Sequence, residues 1–196
     1  FCGLILLFAA DTGEPLAILN DGVIQHLRVG ATAALAAKHM AREDASVLGI
    51  LGSGGMAESH LQAYSEVKSL RLAKIYSPNR AHREGLAERM QRELPFAILP
   101  VEKPELALGR SDIVASCTDT GEAVLLGDWL EDGMHVTTVN HREADERVYR
   151  RISPYIDYQS GHAINLYTSG QERRPRTVGG AGADHDRLVA SSPARR

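Results

Sequence analysis

A chain of 196 residues is enough for one ordinary domain, or for one domain and part of another. Hydrophobic residues make up 43% and charged residues 24%, which excludes a chain too polar to build a core. The formal net charge of -3 gives no general attraction to nucleic acid or anionic membrane, and two cysteines, Cys2 and Cys117, make no disulfide framework, so a reducing, cytoplasmic setting is expected.

The chain opens at Phe1 inside an apolar run, from which we expect further residues upstream. The longest apolar run, Leu4 to Ala10, is too short to span a bilayer and has no basic segment before it, so it reads as a strand and no membrane partner is expected. Gly3–Ala9 and Pro15–Leu19 flank the turn signal Asp11-Thr12-Gly13-Glu14, which predicts a β-hairpin. Asp21–Arg42 follows, and its stretch Ala31 to Lys38 is strongly helical and built of small residues that permit close packing.

From Val47 the pattern alternates. Strands are predicted at Val47–Leu51, Leu70–Tyr76, Phe96–Val101, Asp112–Cys117, His135–Val139 and Tyr155–Tyr158. Helices are predicted at Gly55–Val67, Asn79–Leu94 and Pro104–Leu108. Strands alternating with helices make parallel β-α-β units. The predicted fold is therefore α/β, a Rossmann-type doubly wound parallel sheet, preceded by a β-hairpin and helix from a second, truncated domain. The boundaries read 1–44 for that remnant, 45–161 for the Rossmann domain, and 162–196 for a tail. From Gln171 the tail is rich in Arg, Gly, Ala and Ser and too poor in large apolar residues to offset its ordering entropy.

The strongest motif is Gly52-Ser53-Gly54-Gly55-Met56-Ala57, a G-x-G-x-x-A dinucleotide fingerprint between a predicted strand and a predicted helix. Gly52 permits the tight turn, Gly54 lets backbone N–H groups approach a pyrophosphate, and Ala57 lets the helix lie close to the sheet. The helix N-terminus then offers its unsatisfied N–H groups to the phosphates. The second strand ends at Tyr76-Ser77-Pro78-Asn79-Arg80 without the acidic residue that usually holds a ribose 2′-hydroxyl. Ser77, Asn79 and Arg80 suit a 2′-phosphate, so NADP(H) is favoured and NAD(H) stays open. Asn79 also suits a helix cap, which is compatible. Thr118, after the fourth strand, is placed to touch the cofactor, whereas Asp119 reads equally well as a turn former.

Other constellations carry less. His135 and His141 are expected on one face of the fifth strand but too far apart to share a metal, and His39, His60 and His82 read as surface or capping groups. No G-x-S-x-G motif supports a hydrolase. Arg173, Arg174, Arg176, Arg195 and Arg196 read as a solvated charge run without aromatic interleaving, so no nucleic-acid partner is expected.

The order of these motifs resembles the ornithine cyclodeaminase/mu-crystallin family over roughly residues 3 to 150. The matching segments are Gly3 to Phe8, Thr12 to Ala17, Leu27-Arg28-Val29-Gly30-Ala31 with Ala34 to Lys38, the fingerprint from Leu51 to Ala57, Asp112 to Thr118, and Gly133 to Val139. The resemblance implies a first domain that binds substrate carboxylate and supplies contacts of a homodimer, and a second that binds NAD(H) or NADP(H). It implies hydride chemistry at a carbon bearing an amine or imine beside a carboxylate, so a small amino- or imino-acid substrate. Arg28 matches the family arginine that grips the carboxylate, Gly55 and Met56 match phosphate-loop positions, and Val136 to Val139, Thr138 included, match a segment lining the nicotinamide. On its own chemistry, Arg28 lies between Leu27 and Val29 on an apolar helix, where an unpaired buried charge is costly and a planar guanidinium suits a carboxylate.

Three departures accompany the match. The family's other carboxylate-binding basic residues fall upstream of Phe1. The position of the cyclodeaminase aspartate holds Arg142, while Glu143 and Asp145 match a later Glu-x-Asp. The end from Gln171 has no counterpart. An imine reductase or amino-acid dehydrogenase is therefore expected of the full-length protein rather than a true ornithine cyclodeaminase. Glu143 and Asp145 are the proton-transfer candidates, and this chain alone is not expected to be active. The competing expectation is a non-catalytic NADP(H)-binding protein.

Overall fold

The structure is a computed structural model and describes residues 3–152. Cys2, the strand predicted at 155–158 and the segment 162–196 lie outside the described residues.

The hairpin forms where the turn signal sits. β1 (Leu4–Phe8) pairs antiparallel with β2 (Pro15–Asn20), Leu4 opposite Asn20 and Leu7 opposite Ala17. Ala9 N–H donates to the Glu14 carbonyl and Gly13 N–H to the Ala9 carbonyl, while the Asp11 carboxylate accepts from Thr12 N–H. The ribbon is separate from the main sheet. Its strands are almost wholly apolar, a pattern suited to strands covered on both faces, yet Leu4, Phe8 and Ile18 are exposed, Ile18 by 70%.

Asn20 starts α1 (Asp21–Met40) by accepting a hydrogen bond from Gly22 N–H at 2.9 Å. Gly30, Ala33, Ala34 and Ala37 recur at helical spacing and are buried against α2 (Gly55–Val67). The two backbones nearly touch, since a Cβ at Gly30 would stand 2.7 Å from the Ser59 carbonyl oxygen. The small residues of α1 thus permit the close packing expected of them. Val23, Leu27 and Leu35 lie outside that seam and are exposed.

The main sheet contains β3 (Val47–Leu51), β4 (Leu72–Tyr76), β5 (Ala97–Pro100), β6 (Ile113–Ser116) and β7 (His135–Thr138). Its order is β5-β4-β3-β6-β7 and every pairing is parallel. The chain winds outward from β3 to β5, returns to the other side of β3, and continues to β7. The direction of winding therefore reverses between β3 and β6, the place where ligands bind in open α/β sheets. Leu48 and Ile50 of β3, Ala73 and Ile75 of β4, and Ile113 and Ala115 of β6 share one face. They pack against α1, α2 and α3 (Arg80–Glu93), where Leu61, Leu86 and Met90 are fully buried. Truncating any of these three to Ala costs roughly 2–5 kcal/mol. α4 (Pro104–Leu108) packs against β3 and β4, its Ala107 carbonyl covering Gly49. A short helix, α5 (Glu146–Arg151), follows β7. Helices on both faces match the predicted doubly wound class.

Two expectations about histidine are overturned. His60 is 1% exposed, not a surface group, because α2 is enclosed between α1 and the sheet. The Met56 carbonyl lies 2.7 Å from His60 Nδ1, and burial holds the imidazole pKa below its ordinary value. His135 and His141 do not share a strand face, because β7 ends at Thr138 and His141 opens a 3-10 turn, His141–Glu143.

His135 is buried and its Nε2 has no hydrogen-bond partner. Burial, with a smaller contribution from Lys68, pushes its pKa down to about 4. The unfolded chain takes up this proton near pH 6.5, the folded chain only near 4. Stability from neutral His135 is therefore complete above about pH 6.5 and is lost as pH falls toward 4, by about 3 kcal/mol. His135→Leu should flatten this dependence, since it removes an orphaned polar atom and leaves an apolar side chain. Urea unfolding of both proteins across that interval checks it; parallel losses in the two would assign the acid sensitivity elsewhere.

Candidate functional site

Three of the predicted cofactor segments meet at the carboxyl ends of β3, β4 and β6. Gly52 has φ +117°, a conformation that L side chains rarely adopt. It is also enclosed, because a Cβ there would stand 2.4 Å from the Cys117 carbonyl oxygen. Gly52 N–H donates to the Tyr76 carbonyl at 2.8 Å, and Ser53 Oγ to Ser77 Oγ at 2.8 Å. The fingerprint turn is thus tied both to the end of β4 and to the loop after β6.

Gly54 is different. It is exposed, and a Cβ added to it would meet nothing within 4 Å. It is also the N-cap of α2 and supplies no side-chain cap. The contrast with Asn20, Asn79 and Asn140 is direct, since each of those accepts a hydrogen bond from the first turn of its own helix. Ala57 N–H already donates to the Gly54 carbonyl at 3.0 Å, but the Gly55 and Met56 N–H groups that open α2 have no intrahelical acceptor, and no side chain caps them. An open, uncapped, positively polarised helix end beside a glycine without steric neighbours fits a pyrophosphate. Ala57, fully buried, seats the helix on the sheet.

The β4 end holds the ribose candidates. Ser77 is buried and donates to the Asn79 carbonyl at 3.2 Å, and Asn79 caps α3 through His82 N–H. Arg80 is exposed and pairs with Glu84 at 2.8 Å, a solvent-screened surface contact that contributes little. Arg83 is buried, donating to the Ser77 carbonyl at 3.0 Å. Sequence reasoning missed it because its position beneath the loop follows from how α3 turns back on β4.

His26 was missed as well. Its ring lies against the start of α2, so close that a Cβ at Gly55 would fall 2.7 Å from Cε1. No local signal could show this, because the contact depends on how α1 crosses α2. Arg28 lies two positions further, roughly 200° round the helix from His26, and its side chain is exposed. Contrary to the expectation from its apolar neighbours, Arg28 is therefore not a buried charge.

Glu143 is fully buried. One carboxylate oxygen accepts from Thr118 N–H and Oγ–H, the other from Val139 N–H and Asn140 N–H, both at 2.9 Å. Thr118, Thr138 and Val139 come together here, since β6 and β7 are neighbours with Ser116 opposite Thr138. The Asp145 carboxylate accepts from Gly127 N–H, Val148 N–H and Arg147. Burial would raise its pKa, but these donors outweigh burial and hold it below the usual carboxylate range. Arg142 is exposed on the 3-10 turn. A concavity lined by Ser65 to Leu70 and Glu93 to Phe96 lies at the far ends of α2 and α3, away from the fingerprint. Among the described residues no cluster of His, Cys, Asp and Glu is arranged to hold a metal, and no helix is long and apolar enough to cross a membrane.

The sequence model of the ornithine cyclodeaminase/mu-crystallin family matches residues 2–157. The chain belongs to the ornithine cyclodeaminase/mu-crystallin family. It is 33% identical over 160 residues to an uncharacterized cyclodeaminase, y4tK, of Sinorhizobium fredii, covering 79% of this chain and 48% of that one. It is 28% identical over 158 residues to the ketimine reductase mu-crystallin of Mus musculus, covering 78% of this chain and 49% of that one. The solved Thermococcus litoralis Δ1-pyrroline-2-carboxylate reductase, in complex with NADH and L-proline, superposes with a TM-score of 0.73 at 34% identity, over 78% of this chain and 49% of that one. The chain spans about half the length of the curated relatives it matches. Within the family, the part described here carries the nucleotide fold, and the hairpin and α1 precede it.

Proposed function

We propose that this chain binds a pyridine dinucleotide, NADP(H) in preference to NAD(H), and forms the cofactor half of an oxidoreductase that interconverts an imino acid and an amino acid. The observation that carries the reading is the open, uncapped end of α2 at Gly54, placed where the winding of the sheet reverses. The relatives support the substrate class, since they include a ketimine reductase, a pyrroline-2-carboxylate reductase and an alanine dehydrogenase. When bound, the nicotinamide supplies hydride transfer at its C4. The chain's own part is to hold the phosphates at α2, the ribose at Ser77 and Asn79, and the nicotinamide beside Thr118, Thr138 and Val139. Arg28 is proposed to orient substrate carboxylate in the complete protein.

Neither Glu143 nor Asp145 suits the proton donor's role, because backbone donors already occupy both carboxylates. Arg142 cannot accept a proton in the aspartate's place. Incubation of the full-length protein with NADPH and a cyclic imino acid should consume NADPH, whereas ornithine should yield no proline. Proline formation from ornithine, or no response to any cyclic imino acid, would contradict the reading.

Cofactor preference follows from the end of β4. No acidic residue lies between Lys74 and Arg83 to hold a ribose 2′-hydroxyl, and Arg80 can turn from its surface pair with Glu84 to a 2′-phosphate. NADPH should bind roughly tenfold more tightly than NADH, about 1.4 kcal/mol, with the margin narrowing at high salt. Titration of both cofactors decides; equal affinities would show that Arg80 stays with Glu84. The exposed apolar ribbon and outer side of α1 support a homodimer of the complete protein, which light scattering would test against a monomer.

A further inference from the structure

We propose that Glu143 is a positioning residue that fixes the two loops facing the nicotinamide half of a bound dinucleotide. The proposal rests on the dinucleotide reading above.

A carboxylate that loses all contact with water is costly unless its oxygens are saturated. Glu143 meets that cost with four N–H and O–H donors from two separate loops. Local capping does not require this arrangement. Asn140 and Glu143 cap the 3-10 turn reciprocally, and for that the single bond from Asn140 N–H suffices. The Thr118 pair comes from 25 positions away in the chain. The backbone adds to it, because the Glu143 carbonyl accepts from Val124 N–H and Leu125 N–H, both at 2.8 Å. One residue therefore holds both ends of the Thr118–Leu125 loop, which has no helix or strand hydrogen bonds of its own between those ends. It ties this loop to the end of β7. The fingerprint and the end of β4 serve pyrophosphate and adenosine ribose, so the loops after β6 and β7 are left for the other half of the ligand. Glu143 acts on that half only, through Thr118 and Val139.

Glu143→Gln in the full chain is the direct variant. An amide presents one acceptor oxygen and an NH₂ group where four donors converge, so one loop must let go. The probes are NADPH and 2′-phospho-ADP-ribose, the same molecule without nicotinamide, each titrated into wild type and variant. We expect at least a tenfold weaker affinity for NADPH and an affinity for 2′-phospho-ADP-ribose within twofold of wild type. Equal losses for both probes would reduce Glu143 to a fold-stabilising role and overturn the proposal, as would unchanged NADPH affinity. Failure of the wild type to bind either probe would refute the dinucleotide reading and the proposal with it. If Glu143→Gln does not fold, Thr118→Val removes one donor and keeps the rest. A selective loss of threefold or more for NADPH is then expected, and none overturns the proposal.

Discussion

Gly54→Val should leave the fold intact and weaken dinucleotide binding by at least about a hundredfold, roughly 2.8 kcal/mol. The fold should survive because Gly54 has φ -87° and ψ -174°, extended backbone that valine favours. A Cβ there meets no protein atom within 4 Å. Binding should fail because the isopropyl group would occupy the space through which a phosphate reaches the N–H groups opening α2. Losing two charge-assisted hydrogen bonds, each worth about 1.5–3 kcal/mol, accounts for the size of the effect. Calorimetric titration with NADPH, alongside a thermal melt, separates the two readouts. A folded Gly54→Val protein with unchanged affinity would remove α2 from the site.

Gly52→Ala should do the reverse, and damage the fold first. Its φ of +117° strains any L side chain by about 1–3 kcal/mol. The added Cβ would fall 2.4 Å from the backbone oxygen of Cys117, and neither strand can easily yield, because β3 and β6 are hydrogen-bonded at Leu51 and Ser116. Overpacking of that kind costs a further ~1–3 kcal/mol. The total of roughly 2–6 kcal/mol is a large share of the stability of an ordinary domain. Urea denaturation of the variant measures it, and a loss under about 1 kcal/mol would mean that the turn relaxes freely. Two glycines of one motif, two residues apart, thus serve different ends: one closes the turn against the sheet and one leaves room for a ligand.

That distinction marks the limit of what the chain's order of residues reveals. The fingerprint, the hairpin turn and the alternation of strands and helices are local patterns, and each appears where the pattern places it. Asn79 as a helix cap was equally legible, because a cap acts within one turn. The burial of His60 is not legible in the sequence, because a lone histidine carries no sign of what covers it, and α1 comes from a separate stretch of chain. The apolar neighbours Leu27 and Val29 suggest a buried charge at Arg28, but Leu27 itself is 55% exposed on the outer side of α1. Glu143 left a partial trace. Asn140 three residues before it is a capping-box spacing, which would have suggested a structural rather than a proton-transfer role. Its partner Thr118 follows from the sheet order and not from any spacing.

We propose that this chain holds a pyridine dinucleotide at the junction of β3, β4 and β6. Calorimetric titration of the unaltered chain with NADPH tests it most directly. We predict saturable binding of one NADPH per chain, with a dissociation constant below about 1 mM, displaced by 2′-phospho-ADP-ribose. No saturable binding by the folded chain up to that concentration would contradict it.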